Sequence, residues 1–512
     1  MRITRAIERA AVCGADNRAI VDGSVVRRWR EVADRVARAG QAIAALPIAP
    51  GEHVGILAAN GETFFTLDFA IPWAGAVAVP LNTRLTPLEL AFQLKDADVR
   101  TLFYSREYAV TAAGLKQDGA VRRIVAMDEP DAAADDDLGA MIARGHPIDP
   151  AALGDHDLAA IYYTGGTTGL PKGVMLSHAN LYAMAANLLM SIPFDETCTV
   201  FHAAPMFHLA DIATLFATMT ASTHVFRRTF DAPDMLRAFA EHGVTHCFTV
   251  PAVIERLASD PLASELDLSA LRVLGYGGAS MPAASLDAAR TRFPQVDFVQ
   301  GFGQTEMAAA TFLSPRWHRA DAPADKLRSC GQACPGYDLR IVDEAGREVP
   351  RGTVGEIVGR GGNVMLGYWN RPEETAEVMK DGWLHTRDLG HMDDDGFIYI
   401  TDRAKDMIIS GAENVYSIEV ENALSYHPGI AESAVIGVPD AKWGERVHAI
   451  VVPRAGAVLD SEEIIAFCRT RIAGYKCPKT IGLRADPLPR SAAGKILKGP
   501  LRDAYREGAI PA

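Results

Sequence analysis

Apolar and polar positions alternate along this chain with two different periods. Thr4 to Val12 and Trp29 to Ala45 carry apolar residues at helical spacing. His53 to Leu57 is a short apolar run of strand type, followed by the turn pair Asn60-Gly61. The pattern then predicts a helix over Glu62 to Trp73, a strand over Ala76 to Pro80, a helix over Pro87 to Lys95 and a strand over Val99 to Tyr104. Strands alternating with helices in this way predict layered α/β structure with parallel strands. Residues 128–155 are rich in Asp, Ala and Pro and read as a surface linker. The alternation resumes afterwards and runs to about residue 310.

The texture changes near 325. Between Gly331 and Ile400, turn pairs such as Pro335-Gly336, Gly361-Gly362, Asp381-Gly382 and Asp395-Gly396 interrupt short β-type runs, which predicts a small antiparallel barrel or meander. After Thr401 the pattern predicts a helix at Ser417 to Ser425, strands at Ala434 to Val438 and His448 to Val452, and a helix at Ser461 to Ile472. The expected fold class is α/β. A large domain over 1–402 contains layered α/β subdomains and the β-rich subdomain at about 325–400; a smaller α+β domain spans 403–512.

Composition narrows the chemistry. The 512 residues are 48% apolar and 22% charged, an ordinary globular balance. The formal net charge of −13, with no basic stripe, disfavours a nucleic-acid partner. The seven cysteines are scattered; only Cys330 and Cys334 lie close, and no further ligands follow at zinc spacing. The longest apolar run, Phe69 to Leu81, is too short for a bilayer and contains Pro72 and Pro80, so no integral membrane association is expected. The opening residues lack a signal-type apolar region, and a cytoplasmic setting is expected.

The strongest chemical signal is Thr164-Gly165-Gly166-Thr167-Thr168-Gly169-Leu170-Pro171-Lys172. It leaves a strand at Leu158 to Tyr162. Three glycines let backbone N–H groups approach an anion, the threonines add hydroxyl donors, and Lys172 adds a point charge. Lys172 follows a proline, so the loop is a phosphate binder but not a Walker A motif.

This loop resembles the phosphate loop of the adenylate-forming superfamily, which contains acyl-CoA synthetases. Further segments resemble the family in its order. Gly275-Tyr276-Gly277-Gly278-Ala279-Ser280 is similar to the adenine and acyl-pocket segment, and Gln300-Gly301-Phe302-Gly303-Gln304-Thr305-Glu306 to the second nucleotide motif. Gly367-Tyr368-Trp369 and Thr386-Arg387-Asp388 resemble the ribose region, Asp402-Arg403-Ala404-Lys405 the interdomain hinge, and Pro489 to Lys495 the C-terminal lysine loop.

The resemblance implies a role for each residue. Glu306 would bind Mg²⁺, and Thr305 would meet the α-phosphate. Phe302, in place of a common Tyr, would stack on adenine, for which the ring suffices. Asp388 would accept the ribose hydroxyls, and Arg403 would reach ribose or phosphate. Lys495 would stabilise charge on the α-phosphate from the small, mobile domain, which pivots at Lys405. Gly411, Ala412 and Glu413 would line the CoA tunnel; Ala412 replaces the usual second glycine. His208, Gly277 and Gly278 would border the acyl pocket. Asp211, three residues after His208, either faces that pocket or caps a helix.

The implied activity is ATP-dependent carboxylate–CoA ligation on a medium- or long-chain fatty acid or an aryl acid, with ATP, Mg²⁺ and CoA, by a monomer or homodimer. The alternatives are a stand-alone ligase loading the acid onto a carrier protein's phosphopantetheine, and a nucleotide-binding module without ligase activity.

Overall fold

The computed structural model describes every residue except 1, 165–170, 212, 229, 280, 320, 404–405, 411–412, 441–442, 491–495, 509 and 511–512. Two large sheets organise residues 1–368. The eight-stranded sheet runs in the order Gly367–Tyr368, Lys172–Ser177, Leu158–Thr164, Val77–Pro80, His53–Leu57, Thr101–Tyr104, Arg123–Ala126, Asp136–Asp137. Its strands from Leu158–Thr164 to Asp136–Asp137 are parallel, as the alternation predicts, while Lys172–Ser177 and Gly367–Tyr368 are antiparallel additions at one edge. The nine-stranded sheet places Thr199–His202, His246–Thr249, Val273–Gly277 and Asp297–Gln304 side by side in parallel. Ala308–Leu313 returns antiparallel beside the last of them.

The helix Glu62–Trp73 is apolar all round, and ten of its twelve residues are buried. A helix without a polar face belongs inside a domain. Phe64, Phe65, Leu67, Phe69, Ala70 and Ile71 contribute to a core cluster that also takes residues from both large sheets, among them Ile20, Val200, Val54 and Ala160.

The β-rich segment expected at about 325–400 is a five-stranded antiparallel sheet containing Tyr337–Val342, Gly355–Gly361, Trp383–Met392, Met379–Lys380 and Ile398–Arg403. Its pairings run as an open path among the described residues, so the meander, not the closed barrel, is realised. A further sheet in the C-terminal part joins Glu413–Val415, Ile408–Ser410, Gly444–Pro453, Ile430–Asp440 and Thr480–Leu483.

One expectation is corrected. The stretch 128–155 is not plain linker: it holds the edge strand Asp136–Asp137 and the helix Leu138–Arg144. Asp137 caps that helix by accepting from the Ala140 N–H, and Leu138 and Ile142, one turn apart, are buried. A seven-residue helix is too short to show a period amid so many Asp and Ala.

Candidate active site

A cleft of about 3320 Å³ runs between the ends of the large-sheet strands and the C-terminal part. Its walls include Lys172, Glu306, Gly277, Asp388 and, from the far side, Arg490 and Lys498.

The phosphate loop joins the two strands of a hairpin. Thr164 pairs with Lys172 across the ladder, so the loop leaves and re-enters the sheet at one place. Lys172 is therefore the first residue of a strand. Its ammonium contacts the Glu374 carboxylate and lies 4.9 Å from the centre of the Tyr368 ring. The Tyr368 hydroxyl donates to Glu306 Oε1 at 2.8 Å. Burial, and then the Glu306 charge, push the Tyr368 phenol far above its ordinary range, so it remains a donor. Lys172, Tyr368 and Glu306 thus form one connected group. Asp96 braces it from behind, accepting from the Tyr163 hydroxyl and from Arg371 Nη2, each at 2.7 Å.

Glu306 sits in the turn between Asp297–Gln304 and Ala308–Leu313. Glycine shapes that hairpin. A Cβ on Gly303 would lie 1.7 Å from the Ala308 carbonyl oxygen, and one on Gly277 would lie 2.6 Å from the Gly301 oxygen. Gly278 has φ +73°, in the left-handed region, which suits glycine. Phe302 is half-buried between two core clusters and retains an accessible face on the cleft.

Asp388 is buried on the strand Trp383–Met392. It accepts from Gln304 Nε2 at 2.9 Å, while the same amide donates to the Thr386 carbonyl at 2.8 Å. Asp388 and Arg403 are register partners on adjacent strands. The nucleotide motif at 300–306 and the ribose motif at 386–388 are therefore joined through Gln304.

His208 lies in a turn where its N–H donates to the Pro205 carbonyl. Its Nε2 is buried with no hydrogen-bond partner among the described residues. Burial, assisted by Arg84, pushes the imidazole down to about 4, so it is neutral at pH 7. Asn60, read from sequence only as a turn residue, is buried; it donates to the Ala204 carbonyl and accepts from the Met206 N–H, fixing the segment that carries His208. Asp211 turns its carboxylate onto His202 Nδ1, at 2.9 and 3.0 Å, and accepts from the Thr214 hydroxyl at 2.8 Å. No backbone N–H among the described residues donates to it, so it is not a backbone cap.

Thr305, Gln300, Gly301 and Ala279 also line the cleft. Gly165, Gly166, Thr167, Thr168, Gly169, Ser280, Lys405, Gly411, Ala412 and Lys495 lie outside the described residues, as do the side chains of Arg403 and Glu413. The flanks of the lysine loop are described: Arg490 and Ile496 pair as an antiparallel bridge, and both line the cleft. Sequence reasoning missed Glu374 and Asn60, and it quoted Tyr368 without a role. Glu374 looks like any acid in the first turn of a helix, so only the fold reveals its partner.

The AMP-binding enzyme family matches residues 7–369, and the AMP-binding enzyme C-terminal domain matches residues 419–495. A feruloyl-CoA synthase of Amycolatopsis sp is 40% identical over 491 residues, covering 95% of this chain and 96% of that protein. The long-chain-fatty-acid–CoA ligase FadD13 of Mycobacterium tuberculosis is 35% identical, covering 91% of each chain. The crystal structure of ATP-bound MatB from Rhodopseudomonas palustris superposes with a TM-score of 0.90 at 29% identity and 99% coverage of both chains. The chain belongs to the AMP-binding enzyme family, within the adenylate-forming acyl-CoA synthetase superfamily. It is an AMP-forming acid–CoA ligase.

Proposed function

We propose that this enzyme activates an aryl acid or a medium- to long-chain fatty acid in two half-reactions. In the first, a carboxylate oxygen attacks the α-phosphorus of ATP; the bond to the bridging oxygen breaks and pyrophosphate leaves. In the second, the CoA thiol loses its proton, attacks the acyl carbonyl, and AMP departs with the bonding pair.

The observation that carries this reading is the meeting of Lys172, Glu306 and Asp388 in one cleft, with the flanks of the Lys495 loop across from them. In-line displacement needs alignment and charge neutralisation more than covalent help. Lys172 and the 165–169 loop would hold phosphate oxygens, and Asp388 with Arg403 the ribose. Phe302 and the 277–280 segment would hold the base. Glu306 suits Mg²⁺ brought in with ATP: Tyr368 takes Oε1, and Oε2 has no partner among the described residues. Bound there, the ion would offset phosphate charge. Lys495 would stabilise the charge developing on the α-phosphate, acting from a domain at 403–512 that rotates at Lys405. Residues 411–413 would then face the pantetheine arm. The neutral His208 borders the acyl group without supplying charge.

ATP–pyrophosphate exchange with a panel of aryl, medium-chain and long-chain acids tests the first half-reaction. Adding CoA, or a holo-carrier protein in its place, tests the second. Exchange that no acid stimulates would overturn the ligase reading.

A further inference from the structure

The strand that carries Asp388 does not run flat through its sheet. From His385 to Leu389 it advances four residues, while its neighbour, paired at Val358 and Glu356, advances two. Thr386, Arg387 and Asp388 therefore bulge out of the ladder on that side. Within the bulge Arg387 has φ +60°, in the left-handed region. A residue with a Cβ holds that conformation at a cost, and persists in it only where its surroundings impose it.

Side chains from three places impose it. Thr386 Oγ1 donates to the Ile357 carbonyl at 2.7 Å and accepts from the Asp388 N–H at 3.1 Å. Gln304 Nε2 donates to the Thr386 carbonyl and to Asp388 Oδ2. Glu356 meets the remaining peptide: its Oε1 accepts from the Arg387 N–H at 2.9 Å, and its Oε2 accepts from His385 Nδ1 at 2.7 Å. Thr386 and Asp388 are buried. The Arg387 side chain instead points outward, where its Nη2 lies 3.1 Å from Glu377 Oε2 in a pair exposed on both sides. Exposed pairs of that kind contribute little, so the side chain of Arg387 does not hold its own backbone. Thr386 and Gln304 act on the residues to either side, and Glu356 binds the strained peptide itself.

We infer that Glu356 is a positioning residue for ribose binding: by holding the Arg387 peptide in its left-handed turn, it sets the direction in which Asp388 presents its carboxylate. The inference rests on the reading that Asp388 accepts the ribose hydroxyls, and it names the residue that orients that acceptor. Rotation about the Arg387 N–Cα bond toward the ordinary negative range would carry all of Asp388 with it. What Glu356 supplies is acceptor oxygen rather than charge. An amide in its place can accept from Arg387 with its oxygen and donate with its nitrogen to the other tautomer of His385. Truncation and conservative replacement should therefore behave differently.

The test measures kcat/KM in ATP–pyrophosphate exchange, on the best acid of the panel, for ATP, 2′-deoxy-ATP and 3′-deoxy-ATP. Melting curves accompany each variant. The wild type is expected to favour ATP over at least one deoxy analogue by about 10²-fold, as hydrogen bonds to a charged group imply. Asp388→Ala should bring that ratio near one. Glu356→Ala should lower it to about tenfold or less, through a raised KM for ATP with the KM of the analogue little changed. Glu356→Gln should keep most of the ratio. Adding Arg387→Gly to Glu356→Ala should restore most of it, because glycine takes the left-handed turn without help. Where Glu356→Ala does not fold, Glu356→Met keeps the length, removes both oxygens and takes its place. A folded truncation that keeps the wild-type ratio, or loses ATP and both analogues equally, would overturn the inference. So would a double variant no better than the truncation alone. A wild-type ratio near one, or a ratio that survives Asp388→Ala, overturns the ribose reading and this inference with it. Absence of exchange with every acid overturns the ligase reading on which both stand.

Discussion

Gly303→Ala is the substitution from which the hairpin geometry expects the largest functional loss for the smallest chemical change. The added methyl would stand 1.7 Å from the Ala308 oxygen and 2.6 Å from its carbonyl carbon, where real Cβ contacts essentially never fall below 3.0 Å. The obstacle is backbone, so a side-chain rotation cannot relieve it. Ala308 itself sits at φ 51°, leaving the turn little freedom to yield. The two strands must therefore part by roughly 1 Å, and the turn they carry holds Gln304, Thr305 and Glu306. Two contacts to charged groups depend on that turn, Gln304 to Asp388 and Tyr368 to Glu306. A misplacement of about 1 Å at reacting groups costs on the order of 10²-fold. We expect kcat/KM in ATP–pyrophosphate exchange to fall about 10²- to 10³-fold. The control is Gly301→Ala, whose methyl would lie 3.1 Å from the edge of the Phe312 ring, a side chain that can give way. It should stay within about fivefold of wild type, as overpacking costs of ~1 kcal/mol allow. Gly303→Ala retaining exchange within fivefold, or Gly301→Ala falling as far with both proteins folded by melting curves, would refute the reasoning.

Tyr368→Phe removes the 2.8 Å hydrogen bond to Glu306 but keeps the ring beneath Lys172; it should raise the Mg²⁺ concentration needed for half-maximal exchange and lower kcat/KM roughly tenfold, as loss of a bond to a charged group implies. Lys495→Ala should depress acyl-AMP formation about 10²- to 10³-fold while sparing thioester formation from supplied acyl-AMP; equal loss in both would count against a lysine confined to the first pose. Burial holds His178, His208, His246, His318 and His448 down to about 4 in the fold, while unfolded histidine takes its proton near 6.5. The unfolded chain thus binds more protons between those values, so stability should be steady above about 6.5 and fall as pH drops toward 4. Melting temperatures from pH 8 to 5 check this, and a flat profile would contradict it.

What the sequence reveals depends on how local the cause is. The helix Glu62–Trp73 and the strand His53–Leu57 are legible to the residue because each is a continuous apolar run set off by turn residues beside it, a signal held within one window. The glycines at 277 and 303 are legible as a site because close backbone approach needs residues without side chains. Tyr368 and Glu306, 62 positions apart, are brought together by strand order, which no local pattern encodes. Asp211 looks like a helix cap because the sequence does not disclose His202 opposite it.

The Thr164–Lys172 pairing that closes the phosphate hairpin also divides the surrounding sequence into two regimes of tolerance. Between those two positions added length would cost the fold little, because the ends are already stitched together and the entropy of closing a somewhat longer loop grows only logarithmically. From Lys172 to Ser177 the constraint is one of parity. A single inserted residue there would send every following side chain to the opposite face of the sheet. The partners of Val174 and Met175, Tyr368 and Gly367, would then be addressed in the wrong sense. The fold of this chain should therefore bear insertions before Lys172 far better than after it, where only substitutions keep the register.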